Sequence, residues 1–413
     1  MSSRYADLTR AQLAVLVPEL LLTGHLIDRS GMAHCIAALG PDGMTEVAIE
    51  EWAAASPIYT QRMQRALRFE GTGVTTIFKG MQLEIGAPPQ FMDFRYTVHD
   101  ETHGEFHLDH CGALLDVEPM GEDYVRRMCH EIEDPTFDAT AVATNPHAQV
   151  RPVHRPPRTP ADRAPHCAWT VRIDDDAEPA QPTPLLAVNA RTRAATLELD
   201  PIDPSRGPDD GAADYSGPLV ADVDFATFSA SALARIADEV VLQMHLLNLA
   251  FHAAVAERAT ADQRRHVVLQ QLVGHAGLTA ERLHRALAPL LDLGRSTEDA
   301  ARVLALHPAL NPAAYVALER DGATVRVAAS PAHEDGGWLA LTGPHSPEPL
   351  RAIVRAVDPR LDVELQGDPE EWTATVVRRS DPAPEHPAVA VTRFSGGAAF
   401  AFQPRTSLPL TIR

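Results

Sequence analysis

The sequence predicts an α+β chain built from two tandem copies of one domain, helices first and an antiparallel sheet after, packed as a pseudo-dimer. Three observations predict it: a colinear self-match along the chain, a switch within each copy from helical to alternating apolar spacing, and a Pro/Gly/Asp-rich stretch between the copies. At a constant offset of 220, Leu22, His25, Leu26, Arg62, Arg65 and Leu67 meet Leu242, His245, Leu246, Arg282, Arg285 and Leu287. The offset then becomes 224, where Asp134-Pro135 faces Asp358-Pro359, and settles at 203, where Trp169-Thr170 meets Trp372-Thr373 and Pro184 meets Pro387. The match places copy one at residues 1–204, a linker at 205–223 and copy two at 224–413. The copies are joined through DPSRGPDDGAADYSGP, residues 203–218, which is too polar to bury a core of its own.

Within copy one, residues 8–39 carry apolar side chains at helical spacing, with Thr9 or Asp7 as the N-cap. Residues 45–69 repeat that spacing through Val47, Trp52 and Met63, and 74–83 predict a third, short helix. Alternation predicts strands at 94–98 and 105–110, then a helix at 122–131, then strands at 168–173, 185–188 and 195–199. Helices segregated ahead of a mostly antiparallel sheet define the α+β class. Two such units in one chain pack as the subunits of a homodimer do.

Charge narrows the function. The chain has 36 Lys plus Arg against 56 Asp plus Glu, a formal charge of −20, and Lys79 is its only lysine. Phosphate backbones and anionic lipid repel such a surface, which argues against nucleic acid and membrane as partners and for a small-molecule substrate. The apolar stretch at 13–22 contains Pro18 and Glu19 and lacks the flanks of a signal peptide, and no apolar run reads as long enough to span a bilayer. The expectation is a cytoplasmic protein, with a homodimer of the whole chain compatible with the sequence. In a reducing compartment Cys35, Cys111, Cys129 and Cys167 are thiols, metal ligands or a redox pair rather than disulfides.

The duplication supplies an internal control: features kept in both copies are assigned to the fold, and features kept in one to a site. His25 recurs as His245 and is assigned a structural role; Asp28 becomes Asn248 and stays a site candidate; Trp169 and Trp372 are assigned to the core. Cys111, Cys129 and Cys167 face Ser330, Ile353 and Glu370, while Cys35 faces Val255 on an apolar stripe and is assigned to the core. Thirty residues separate Asp138 from Trp169 but only nine separate Asp362 from Trp372, so the segment holding His147, His154 and His166 is largely missing from copy two. Joint loss of thiols and imidazoles is what a metal site predicts, because a partial ligand set binds poorly. The ligand set is Cys111, Cys129, Cys167 and His154, with His130 as the substitute, for zinc or another soft transition metal. Buried, independent core cysteines are the alternative.

Cys111 after a strand, Cys129 near a helix end, Pro156-Pro157 and a closing Cys167-Ala168-Trp169 resemble the small bacterial domains of the L-2-amino-thiazoline-4-carboxylate hydrolase-like family, with copy two resembling a degenerate member. Relatives carry a further Cys just before the Pro-Pro, where this chain has Arg155 and, one place earlier, His154. The resemblance implies hydrolysis of a C–N bond in a small ring or amide-like substrate. On the chain's own residues, a metal-bound water would attack while a carboxylate takes its proton. Glu131 and Glu133 are the candidates, with Asp134 set aside as a turn cap because it recurs as Asp358, and Asp28 kept open. Two alternatives remain: a non-catalytic binding protein in which the metal staples a loop, and thiol chemistry at Cys111 or Cys129.

Overall fold

The computed structural model describes residues 3–203, 211–405 and 410. Residues 205–210 of the expected linker lie outside them. Thr9 and Gln12 form a reciprocal capping box that starts helix α1 (Arg10–Ala66). Gly40 sits at φ 77 inside this helix and Pro41 follows, which splits it into two arms where the sequence leaves a gap between two helices. Helix α2 (Val74–Met81) leads to β1 (Met92–Val98) and β2 (His103–Cys111). Short α3 (Gly112–Val117) and α4 (Glu122–Arg126) follow. The chain then widens into a π-helical turn over Arg127–Ile132 before α5 (Glu133–Val142), β3 (Ala148–His154) and β4 (Cys167–Ile173). Two small helices, α6 (Pro184–Asn189) and α7 (Arg193–Thr196), close the first half.

The second half repeats this order. Helices α8 (Ala230–Ala256), α9 (Ala261–Leu291) and α10 (Thr297–Leu306) precede β5 (Ala317–Asp321) and β6 (Thr324–Ala328). Helices α11 (Pro331–Asp335) and α12 (Glu348–Val357), strands β7 (Leu361–Gly367) and β8 (Trp372–Arg378), and α13 (Pro387–Thr392) complete it. The sheets are wholly antiparallel with orders β1-β2-β4-β3 and β5-β6-β8-β7, so the fold is α+β with two four-stranded sheets.

Helix α1 packs along α8 and α9, and one apolar core runs through both halves, while a second core lies beneath the first sheet. Two buried ion pairs cross between the halves: Arg282 Nε to Glu19 at 2.8 Å, and Arg62 Nε to Glu239 at 2.9 Å. Each arginine also donates to the backbone that follows the last helices, Arg282 to Gly397, Ala398 and Phe400, Arg62 to Ala195 and Leu197. Helices α1 and α8 are by length and composition apolar enough to cross a membrane, contrary to the sequence expectation. Their apolar windows are 72% and 89% buried against the rest of the protein, as central core helices are.

The expected strands at 185–188 and 195–199 are instead α6, and α7 with the residues after it. Thr183 caps α6 and Pro184 occupies its first turn, a helix-start signal that outweighs the short apolar run. Strand β3 was not expected: Pro152 and Arg151 disguise it, and the sheet tolerates them because β3 is an edge. The Asp-Pro match is not a structural equivalence either. Asp134 lies in the first turn of α5, paired with Arg155, whereas Asp358 ends α12 and accepts from the Arg360 amide. Asp134 therefore caps no turn, and facing Cys129 with Ile353 has no structural basis. The length difference survives as two loops between the last strands, 155–166 in the first half and 368–371 in the second. Residues 211–223 dock rather than dangle: buried Lys79 donates to the carbonyls of Tyr215 (2.9 Å) and Gly217 (2.5 Å), and Tyr215 donates to Gln82 (2.7 Å).

Candidate functional site

Positions 25, 28, 29 and 32 share one face of α1, because 3.6 residues per turn bring i, i+3, i+4 and i+7 together. The second arm of α1 sets Trp52, Ser56 and Tyr59 beside them; Glu84 to Phe94 and α3 through α5 complete the walls. The cavity, of about 140 Å³, is partly open to solvent. Its lining is mainly apolar and rich in Met32, Met44, Met92, Met120 and Met128, with a few polar groups converging: His25, Asp28, Arg29, Glu84 and Glu133. A mainly apolar cavity with a few convergent titratable groups has the character of a small-molecule site.

Several of these polar groups keep buried atoms without hydrogen-bond partners. Glu51 lies behind Asp28, fully buried; neither of its oxygens meets an N–H or O–H donor, and its neighbour is the Asp28 carboxyl. Burial, then the charge of Asp28, hold the Glu51 carboxyl far above the ordinary range. Asp28 faces the cavity, with Arg29 Nη2 3.4 Å from its Oδ2. Burial pushes Glu133 up to about 8, and its Oε2 is shielded without a hydrogen-bond partner. Burial likewise pushes Glu84 up to about 8. Both ring nitrogens of His25 lack a partner at hydrogen-bond geometry, and burial lowers its pKa to about 3, so the ring is neutral.

The second half treats the equivalent positions differently. At the offset of 220, Asp28 and Glu51 correspond to Asn248 and Gln271, whose amides hydrogen-bond at 2.8 Å. His245 Nε2 is tied to the carbonyls of Asn311 (2.7 Å) and Pro308 (3.2 Å). Trp338 sits with its ring 5.1 Å from His245, and a Cβ on Gly337 would come within 3.3 Å of the Asn248 Oδ1. Around His245, Asn248 and Gln271 the second half is therefore packed where the first half has its cavity.

Of the expected catalytic residues, Asp28 and Glu133 line the cavity. Glu131 does not: it is exposed on the outside of the π-helical turn, 3.7 Å from Arg127, because two helical positions rotate a side chain to nearly the opposite face. Cys111, Cys129 and Cys167 all enter the core beneath the first sheet, each at most 4% exposed. Burial pushes Cys111 up to about 12 and Cys129 and Cys167 up as well, and Cys129 feels both other sulfurs and Glu133. A nucleophilic thiol needs the opposite shift. His154 belongs elsewhere: it pairs with Ala168, the neighbour of Cys167 in β4, and successive strand residues point to opposite faces. His130 is turned to the loop, its Nε2 2.7 Å from the Pro156 carbonyl. No three of these five candidate ligands bring their donor atoms within 4.8 Å of one another, so the set does not fit the tetrahedron expected for zinc. Cys35 is core, as expected.

Sequence reasoning missed Glu51, Glu84 and the hollow around His25. The signal for Glu51 was present, since Gln271 stands opposite it at the offset already established. Glu84 gives a stability test. An unfolded Glu titrates near about 4.3, so between that value and about 8 the folded state holds a proton the unfolded chain has lost, and stability falls as pH rises. Glu84→Gln removes this term. Its stability relative to wild type is expected to rise by about 1.4 kcal/mol per pH unit from about pH 6 to about pH 7.5, read by urea denaturation. No family model, no curated protein and no solved structure matches the chain.

Proposed function

We propose that the first half is a hydrolase-type acid–base site for a small, largely apolar molecule bearing a C–N or related bond. In the same proposal the second half is a counterpart that has lost the site and kept the fold, the two packed as a pseudo-dimer. The observation that carries the site is the exchange of a carboxyl pair, Asp28 with Glu51, for an amide pair of the same shape, Asn248 with Gln271, beside a cavity open in one half and filled in the other. Carboxyls at two positions of one half and hydrogen-bonded amides at the equivalent positions of the other remove the proton chemistry while keeping the place in the helical frame. The pseudo-dimer rests on the reciprocal pairs Glu19–Arg282 and Arg62–Glu239, each joining equivalent positions across the halves as an isologous interface does.

In this proposal Asp28, held by protonated Glu51 and by Arg29, is the general base that takes a proton from attacking water. Glu133, protonated below about 8, donates its proton to the departing nitrogen. The balance is one water added across one C–N bond. The methionines and aromatic rings would hold the apolar body of the substrate and keep bulk water out.

The test is turnover by the full chain of 2-amino-thiazoline-4-carboxylate and a panel of cyclic amides and amidines, followed by mass spectrometry as the gain of one water. Ring opening that depends on Glu133 is expected. Saturable binding without turnover would instead favour a non-catalytic binding protein.

A further inference from the structure

The hairpin of the first sheet carries a second group of ligating side chains. Thr97 pairs with Glu105 and Val98 with Gly104, so His99 and His103 flank the turn, and the His99 amide donates to the His103 carbonyl at 3.0 Å. Strand alternation puts His99, His103 and Glu105 on one face. The two imidazole rings stack with centroids 4.5 Å apart, and His99 Nε2 lies 3.6 Å from Glu105 Oε1. One donor atom from each of the three lies within 4.8 Å of the others, and among the described residues no other His/Cys/Asp/Glu trio does so.

A solvated surface does not explain the arrangement. Both Nε2 atoms are shielded from solvent and neither has a hydrogen-bond partner, so the hairpin holds two desolvated imidazole nitrogens side by side. Around them stand Asp100 and Glu101 in the turn, and Arg172 and Thr170 across the sheet from His103 and Glu105, leaving carboxylates in excess. Asp100 is already occupied by the amide and hydroxyl of Thr102. The matching hairpin of the second half turns through Gly322 between Asp321 and Thr324 and offers no imidazole.

We propose that His99, His103 and Glu105 form a surface site for a divalent transition ion of the zinc class, with water completing the coordination. Ion–donor distances near about 2.1 Å place donors in a coordination sphere roughly 3–4 Å apart, which small side-chain rotations reach from the present geometry. Two imidazoles favour a transition ion over magnesium or calcium, which prefer oxygen. Met92, on the cavity wall, begins the strand that ends before His99, so the site stands at the far end of that strand, roughly 20 Å from Met92. It is a clamp across the hairpin and independent of the proposed reaction.

Cobalt tests it, because its visible spectrum reports the ligands. The full chain, stripped with a chelator and titrated with Co²⁺, is expected to saturate at one equivalent. Visible d–d bands should appear without the near-ultraviolet charge-transfer band that thiolate ligands give. His99→Gln, His103→Gln and Glu105→Gln, all on the hairpin surface, are each expected to weaken binding about tenfold or more, while Cys111→Ser leaves it unchanged. No saturable spectrum, wild-type affinity retained in both the His99→Gln and His103→Gln variants, or a thiolate band lost in Cys129→Ser would each overturn the proposal.

Discussion

Arg282→Met is expected to cost about 3–5 kcal/mol in urea denaturation, because it strands the Glu19 carboxylate in the core. Arg282 is fully buried, and burial already raises the Glu19 pKa against the pull of that arginine. With the cation gone, Glu19 avoids an unpaired charge only by taking a proton. The penalty should therefore be smaller near about pH 5 than near about pH 8. Glu19→Leu combined with Arg282→Met should recover part of the loss. Full recovery is not expected, because Arg282 also satisfies the carbonyls of Gly397, Ala398 and Phe400, and these stay buried or half-buried without it. Arg62→Met should cost less, because Arg235 still pairs with Glu239 at 2.8 Å after Arg62 is lost. A measurable loss at both sites, larger at Arg282, is what reciprocal pairs at equivalent positions of a pseudo-dimer require; no loss at either would contradict that packing.

Asp28→Asn with Glu51→Gln is expected to lower turnover roughly 10²–10⁴-fold, the range typical of losing a positioned acid or base. The protein itself supplies the control for this double variant. The second half already buries Asn248 against Gln271 with a 2.8 Å hydrogen bond, so the amide pair fits this helical frame. Stability should hold or improve, since two amides satisfy each other without a shared proton. Unchanged turnover with intact folding would remove Asp28 and Glu51 from the reaction.

Much of the architecture was legible in the sequence because helical periodicity and the self-match are strong over long segments. The break at Gly40-Pro41, the Thr9 cap and the α+β order all follow from residue-level signals. Short elements were harder. The run from Leu185 to Val188 fits strand or helix equally, and only Thr183-Pro184 ahead of it decides for helix. Asp134-Pro135 and Asp358-Pro359 share letters but start one helix and end another, a chance match that misaligned the residues around Cys129. Cys111, Cys129 and Cys167 do share one core, yet their sequence pattern could not say on which face of the sheet His154, at the end of β3, would fall. The cavity was least legible, since its walls draw on residues from 25 to 140 and its defining feature is space left unfilled.

The most direct measurement is the infrared C=O stretch of protonated carboxylic acids at neutral pH, compared between wild type and Glu51→Gln. Wild type should carry one more protonated carboxyl than the variant, with a band that shifts on deuterium exchange only as fast as the buried pair opens. Equal bands in the two proteins would mean that Glu51 is ionised beside Asp28, and the acid–base site described for the first half would not exist.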